Sequence, residues 1–399
     1  MDSKIIFHID VNSAFLSWSA VYKLSQGEKI DLREIPSIIG GDESKRHGVV
    51  LAKSISAKKY GIKTGEPIAK AKKKCANILV IPPLFSVYSR YSKAMFSLLN
   101  EYTPVVEKFS IDECFLDLAG EKDYMQLAHI IKNRIKGELG FTVNIGISCN
   151  KLLAKMASDF EKPDKIHTLF PHEIKNKMWP LPVENLFMVG RATLPKLNEM
   201  NIFTIGDLAN YDLKFLKYKF KSYGELLWNY ANGIDKSKLG SRSKEAAKSI
   251  SNSTTLTYDI TNREAAHKII LSLCENTAMK LRNNKFLCNV IAVSIKNSSF
   301  EVYSKRKKMN IATDCTKEII KCSYELFDKL WKGEPIRLIG VTLGDLCKEG
   351  IKQISLFDNK KYEKKLEKNR SLDKAIDNIK NKYGDASIAR SSFLKKTKI

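Results

Sequence analysis

The stretch from Lys108 to Leu118, KFSIDECFLDL, sets an acid pair, Asp112–Glu113, between Ile111 and the apolar run Cys114–Phe115–Leu116. Apolar residues on both sides call for a buried strand, and ionised carboxylates resist burial unless something neutralises them. A second segment poses the same problem: KIIFHID, Lys4 to Asp10, reads as a short buried strand that ends in an acid. Such a chain must either expose its acids on turns or gather them around a counter-charge. No nearby side chain offers enough positive charge for three carboxylates. A divalent cation does.

The segments around these strands alternate in type. SAFLSWSAVYKL has helical spacing, with Ser13 placed to cap it. The apolar runs of IIGGDESKRHGVVLA (Ile38–Ala52) flank a Gly-rich turn and predict a hairpin. Ser86–Tyr102 reads as a helix, Phe109–Leu118 as a strand with a turn at the acid pair, and Tyr124–Leu139 as an amphipathic helix. Phe141–Ser148 is strand-like, and Asn150–Phe160 predicts a helix with a basic edge. Strands separated by helices, with acids at strand ends, predict a small sheet of the split βαβ type in which the Asp10 and Asp112–Glu113 strands are neighbours. Pro180 and Pro182 open an all-helical region reaching about Leu239, and SRSKEAAKSISNSTTL reads as a polar, Ser-rich linker. Beyond it, CNVIAVSIK and PIRLIGVTLGDL alternate with helices starting near Asn262 and Thr316. At 399 residues, several domains are expected.

The formal net charge is +24, spread along the chain, which points to a polyanionic partner, nucleic acid first among them. MDSKIIFHID lacks the basic and apolar regions of a signal peptide, and no later run is long enough to span a bilayer. The eight cysteines are scattered without a CxxC pair, so zinc and disulfides are not expected and a reducing cytoplasm fits. There is no Gly-Lys dipeptide for a Walker A loop, no HExxH and no GxGxxG. Phosphate chemistry here must rest on metal and basic side chains. Two Mg²⁺ ions held about 4 Å apart by shared carboxylates suit phosphoryl transfer, because Mg²⁺ takes carboxylate and phosphate oxygens together.

At FHIDVNSAF and SIDECFLDL the chain resembles the Y-family DNA polymerases, the translesion class, and especially the bacterial DinB/UmuC-like branch. The resemblance runs from about residue 4 to 357 and includes AKKYGIKTGEP, GISCNKLLAKMASDFEKP and QISLF. It implies an α+β multidomain fold, a polymerase right hand with a ferredoxin-like palm, small fingers, helical thumb and α/β little finger. The implied limits are palm 1–10 and 80–168, fingers 11–79, thumb 169–240, linker 241–249, little finger 250–346, and a clamp-binding motif with a basic tail at 347–399. The activity implied is low-fidelity, template-directed DNA synthesis for lesion bypass, by nucleotidyl transfer from dNTP to a primer 3′-hydroxyl.

Carried over by position, Asp10, Asp112 and Glu113 match the catalytic metal ligands, with the Val11 carbonyl as a fourth contributor to two Mg²⁺ ions. Phe15 matches the steric gate that leaves no room for a ribose 2′-hydroxyl. Backbone N–H groups of Ser13, Ala14 and Phe15 are placed to cradle triphosphate oxygens, and Lys155 matches a triphosphate-binding lysine. Where many relatives carry Tyr and Arg in the fingers, this chain reads SISAK. Lys58 can still meet phosphate as a point charge, Ile55 cannot donate a hydrogen bond, and Ser54 can compensate. LFMVGRATLPKL resembles a helix-hairpin-helix that holds a DNA phosphate; it keeps Gly190 but has Met188 where a first glycine is usual. Lys305, Arg306, Lys307 and Lys308 form a cluster suited to sequence-independent DNA binding. Gln353, Ile354, Ser355, Leu356 and Phe357 resemble the bacterial sliding-clamp motif. The implied partners are primer–template DNA, dNTP and the clamp β subunit, with the protein acting as a monomer and away from any membrane. The Lys-rich tail that follows can be solvated helix or a further DNA contact.

Two other readings stand beside this one. GGDES (Gly40–Ser44) resembles the GGDEF signature of diguanylate cyclases, although Ser44 replaces its aromatic residue. A DNA-binding accessory protein whose catalysis has decayed is the non-enzymatic alternative, against which all three carboxylates are retained.

Overall fold

In the computed structural model of the chain, the described residues are 4–42, 46, 48–240, 247–348 and 360–391, the side chains of 360–366 excepted. The clamp-like motif Gln353–Phe357 lies outside them. The chain divides into two compact units, one running to residue 245 without 44–47, the other made of 44–47 and 246–399. Among the described residues no helix is long and apolar enough to cross a membrane. All eight cysteines are free.

The first unit opens on β1 (Ile6–Val11), buried along its whole length. Its mostly apolar run before Asp10, broken only by His8, lacks the alternation of a half-exposed strand, and so it occupies the centre of a sheet covered on both faces. α1 (Ala14–Ser25), β2 (Ser37–Gly40), β3 (Val50–Lys53), α2 (Ile55–Lys59), α3 (Ile68–Lys74) and β4 (Leu79–Ile81) follow. β2 pairs antiparallel with β3, as the expected hairpin, and parallel with β4, which makes a separate three-stranded sheet. Then come α4 (Phe85–Leu99), β5 (Val106–Lys108), β6 (Glu113–Asp117), α5 (Tyr124–Arg134), β7 (Val143–Ser148), α6 (Lys151–Ser158) and β8 (Ile166–Thr168). With β1 they build a five-stranded sheet of order β5-β6-β1-β7-β8.

The expected boundary after residue 10 does not cut the structure cleanly. Trp18 of α1 joins the core of the large sheet with Phe7, Ile9 and Phe141, while Leu16 and Ala20 join a small core with Leu32, Ile39 and Ile81. The small sheet also ends at Ile81, past the expected limit of 79. Ser13 does stand at the N-cap of α1, but at φ 49° and without a side-chain cap bond. Its carbonyl accepts from Leu16 and Ser17 instead.

Five short helices complete this unit: α7 (Ile174–Lys177), α8 (Leu194–Asn198), α9 (Ile205–Asn210), α10 (Leu213–Phe220) and α11 (Ser222–Ala231). Their core takes in Leu153 and Met156 of α6 beside Leu197, Leu208 and Leu227. α6 is therefore enclosed, every one of its residues buried, and the basic edge predicted for it does not exist. The expected helix-hairpin-helix around Gly190 has only the 3₁₀ turn Val183–Asn185 before its loop. Met188 occupies φ 80°, where a glycine would be unstrained. A tighter hairpin joins α10 to α11, where a Cβ on Gly224 would lie 2.3 Å from the Leu216 carbonyl oxygen. The Tyr223 hydroxyl donates to the Met188 carbonyl and ties the two turns together.

The second unit holds β9 (Ser249–Ile260), α12 (Arg263–Asn283), β10 (Phe286–Asn297), β11 (Val302–Thr313), α13 (Thr316–Leu330), β12 (Ile336–Lys348) and α14 (Lys360–Tyr383). Its sheet, ordered β11-β10-β12-β9, is antiparallel. Ile270, Leu273 and Phe327 of α12 and α13 bury one face against Ile291, Val293 and Val341. From Ser249 the supposed linker is a strand. Ser249, Ser251 and Ser253 alternate onto the uncovered face, where polar residues are compatible with an antiparallel sheet. Part of the basic tail forms α14, and Arg282, its side chain 8 % exposed, pairs with Asp373 and Asp377 of that helix.

Candidate active site

β1 and β6 run antiparallel with Asp10 directly opposite Glu113. Residues so paired point to the same face with their Cβ atoms about 5 Å apart. The Val11 N–H donates to the Asp112 carbonyl at 3.1 Å, so the acid pair is held at the same end of the sheet. Ser110 sets the turn: its Oγ accepts from the N–H groups of Asp112 and Glu113 at 3.2 and 3.1 Å, and its hydroxyl donates to the Asp112 carboxylate. A small hydroxyl side chain two residues before an acid makes this local bond readily.

All three acids line one cavity of about 940 Å³, together with Val11, Ser13, Ala14 and Phe15. The N–H groups that start α1 have no partner within the helix, which fits the role expected for Ser13, Ala14 and Phe15. Phe15 stacks on Tyr88 with ring centroids 4.6 Å apart and meets Phe85 edge-on at 6.2 Å. Tyr88 is buried and its hydroxyl is bonded to Ser19 at 2.9 Å, so the ring beneath Phe15 cannot yield easily. Ile55, 50 % exposed, and Lys58 also border the cavity. Ser54 is only 1 % exposed, and its hydroxyl oxygen already accepts from Ser37 and Ala57. It caps α2 and also lines the cavity, with its O–H still free to donate.

No nearby side chain was expected to offer enough positive charge for three carboxylates; two lysines supply part of it. Lys162 pairs with Asp10 and also with Asp159 at 2.7 Å, while Lys155 lies 3.2 Å from Glu113. Lys155 is not among the residues lining the cavity; Lys162 is. Lys155 belongs to the buried helix α6, whereas Lys162 follows the end of that helix. Lys162 lies within the motif GISCNKLLAKMASDFEKP, and its place in a loop after the helix is the signal that could have singled it out. His8, also missed, is buried with its Nε2 3.8 Å from Glu113.

Asp10 is 7 % exposed, and burial pushes its carboxyl up to about 6 against the pull of Lys162. Burial would raise Glu113 too, but the positive charge of Lys155 beside it holds it below the usual carboxylate range. Among the described residues, no three His, Cys, Asp or Glu side chains are gathered closely enough to hold an ion as they stand. Asp10, Asp112 and Glu113 instead each engage a partner of their own. The donor set is nevertheless one of hard carboxylate oxygens, as Mg²⁺ requires, and Asp10 is left short of positive charge.

That shortage predicts a stability effect. Because the folded pKa of Asp10, about 6, exceeds the usual 3.8, the folded state binds the proton more tightly and loses stability as pH rises from about 4 through 6. The full loss at neutral pH is on the order of 2–3 kcal/mol. Asp10→Asn is expected to raise the melting temperature of the metal-free protein by several degrees at pH 7.5 and by little at pH 4. Added Mg²⁺ should narrow the difference. A variant less stable than wild type at pH 7.5 would contradict this account.

In the second unit, the Lys305–Lys308 cluster lies on strand β11 and is divided between two faces. Lys305 and Lys307 stand opposite Val293 and Ile291, on the helix-covered side, and Lys307 pairs with Glu325 of α13 at 3.1 Å. Arg306 and Lys308 belong to the uncovered face. Across it run rows of small side chains, Ser253–Gly340–Ser294–Ser304 and Ser251–Thr342–Ala292, the second ending at Arg306. A Cβ on Gly340 would sit 2.8 Å from the Ser294 hydroxyl and 3.1 Å from the Ser253 Cβ, so glycine keeps this row flat.

Residues 9–159 match the impB/mucB/samB family, and residues 247–356 match the family's C-terminal domain. A Clostridium acetobutylicum protein named DNA polymerase IV is 55% identical over 397 residues, covering 99% of both chains. One of the same name from Acetivibrio thermocellus is 37% identical over 398 residues, with 98% of each covered. Among solved structures, a Y-family DNA polymerase chimera, Dbh-Dpo4(243-245)-Dbh, has the same fold at TM-score 0.74 and 23% identity, covering 86% of this chain and 100% of that one.

Proposed function

The chain belongs to the impB/mucB/samB family and is a DinB-like Y-family DNA polymerase of the translesion class, and we propose that Asp10, Asp112, Glu113 and the Val11 carbonyl hold two Mg²⁺ ions in its active site. The observation that carries this assignment is Asp10 facing Glu113 across β1 and β6, in a cavity that also contains Phe15. When bound, the ions would activate the primer 3′-hydroxyl and neutralise the departing pyrophosphate. The protein's own groups position the substrates. The opening N–H groups of α1, with Lys58 and Lys162, offer positive charge to the triphosphate, and Phe15 closes the space beside the sugar.

The flat, hydroxyl-bearing face of the second unit, with Arg306 and Lys308 at its edge, suits a DNA backbone: small side chains admit the phosphates and carry no base-reading group. The residues 353–357 are proposed to dock on a sliding clamp, and the protein to act as a monomer.

Neither alternative reading has comparable support. Gly40 of GGDES ends β2, in the sheet that does not carry the three acids. A decayed enzyme would have little reason to keep all three acids in one cavity.

Primer extension on undamaged and lesion-bearing templates tests the proposal; no extension on either would sink it, and cyclic dinucleotide made from GTP without DNA would favour the cyclase. Within that assay, Lys162→Met is expected to raise KM for dNTP by about 10–100-fold, the worth of one charge-assisted contact, with a smaller change in kcat. An unchanged KM would remove Lys162 from the triphosphate site.

A further inference from the structure

Lys155 sits behind Glu113, 9 % exposed, in the middle of the enclosed helix α6. Its Nζ is 3.2 and 3.3 Å from the two Glu113 oxygens, a forked contact on one carboxylate. The rings of Phe109 and Phe187 face the same ammonium at 5.5 and 5.6 Å. Phe187 comes from the helical region after β8, and its N–H donates to Met156 Sδ at 3.4 Å, so the chain closes over the lysine next to its own helix turn. Two ring faces and the exclusion of water both strengthen a charged contact relative to one in solvent.

The other neighbour of Glu113 cannot do the same work. His8 Nδ1 is bonded to Ser158 Oγ at 2.7 Å, and the Ser158 hydroxyl itself donates to the Lys155 carbonyl at 2.8 Å. Assigned from that bonding pattern, Nδ1 carries the proton of a neutral ring and Nε2 presents a lone pair toward Glu113. Among the hydrogen bonds of the described residues, Lys155 alone donates to the Glu113 carboxylate.

We infer that Lys155 is a positioning residue for Glu113, gripping the carboxylate from the side away from the cavity and leaving the nucleotide to other groups. This rests on the reading of Glu113 as a catalytic carboxylate. It carries a cost as well as a benefit. The ammonium competes with any cation for the same oxygens, so orientation is gained against metal affinity.

The experiment compares Lys155→Met and Lys155→Arg in the full-length protein on primer–template DNA. Lys155→Met is expected to lower kcat by about 10–100-fold, the effect of a small misplacement of a reacting group. KM for dNTP should stay within about threefold of wild type, and Lys155→Arg, which keeps the charge, should recover much of the loss. In the binary DNA complex without nucleotide, Mn²⁺ titrated by electron paramagnetic resonance should bind the Met variant at least as tightly as wild type. A large rise in KM at preserved kcat would make Lys155 a triphosphate ligand and overturn the inference. So would an unchanged kcat, or weaker Mn²⁺ binding. If Lys155→Met does not fold, Phe187→Leu removes one ring while sparing the lysine, and must lower kcat at constant KM; no change there overturns the inference equally. Glu113→Gln separates the two levels. An active Glu113→Gln protein removes the carboxylate reading itself, whereas an inactive one beside a normal Lys155→Met protein removes only the role of Lys155.

Discussion

Primer extension by the Glu113→Gln protein is expected to fall by about 10³-fold or more, since a lost metal ligand forfeits several kcal/mol of transition-state charge stabilisation. The amide keeps the size of the side chain and its place opposite Asp10, so the loss would report charge, not shape. Asp112→Ala should behave alike. Its carboxylate borders the same cavity and is tethered by the Ser110 hydroxyl. Binding of primer–template DNA, followed by fluorescence anisotropy, should change little in either variant, because the basic sheet face of the second unit is untouched. A melting curve is the needed control for Glu113→Gln: Lys155 would keep an amide oxygen as partner but lose its counter-charge, at a cost of about 1–3 kcal/mol. Substantial extension by either variant would rule out the metal assignment.

Phe15→Ala should admit ribonucleotides. The ring lies flat on Tyr88 and edge-on to Phe85, and both neighbours hold it in place over the cavity. A rigid wall rejects an added hydroxyl through overlap, worth about 1–3 kcal/mol or roughly 10–100-fold in selectivity. The measurement is the ratio of kcat/KM for a dNTP to that for the matching rNTP. For the variant it should shrink by that factor, mainly through improved rNTP use. Because Tyr88 is anchored to Ser19, the stack itself should survive the truncation. An unaltered ratio would leave Phe15 as ordinary packing on α1.

The strands that carry the acids were legible because burial imposes a pattern on composition: KIIFHID and IDECFLDL are largely apolar runs that hold acids where packing alone would not place them. The hairpin at Ile38–Ala52 was legible for a similar reason, two apolar runs around glycines. The errors share a cause as well. Asn150–Phe160 shows lysines at helical intervals, which ordinarily mark a solvated face, yet α6 is covered on all sides. SISNSTTL has the composition of a linker, but alternation on the open face of an antiparallel sheet accommodates the same residues as strand β9. The run SKRKK looks like one basic patch, and a strand with a period of two divides it between opposite faces.

Local order along this chain, including its acid-ended strands and its hairpin, follows from short-range rules of periodicity and backbone freedom that act within a few residues. Which charges meet is another matter. Asp10 and Lys162 are 152 residues apart, and Glu113 and Lys155 are 42 apart. Their pairing depends on the register of β1 against β6 and on how deeply α6 is enclosed. Only close packing of distant segments sets those quantities, and it is this packing that sends one lysine to the cavity and the other behind the carboxylate.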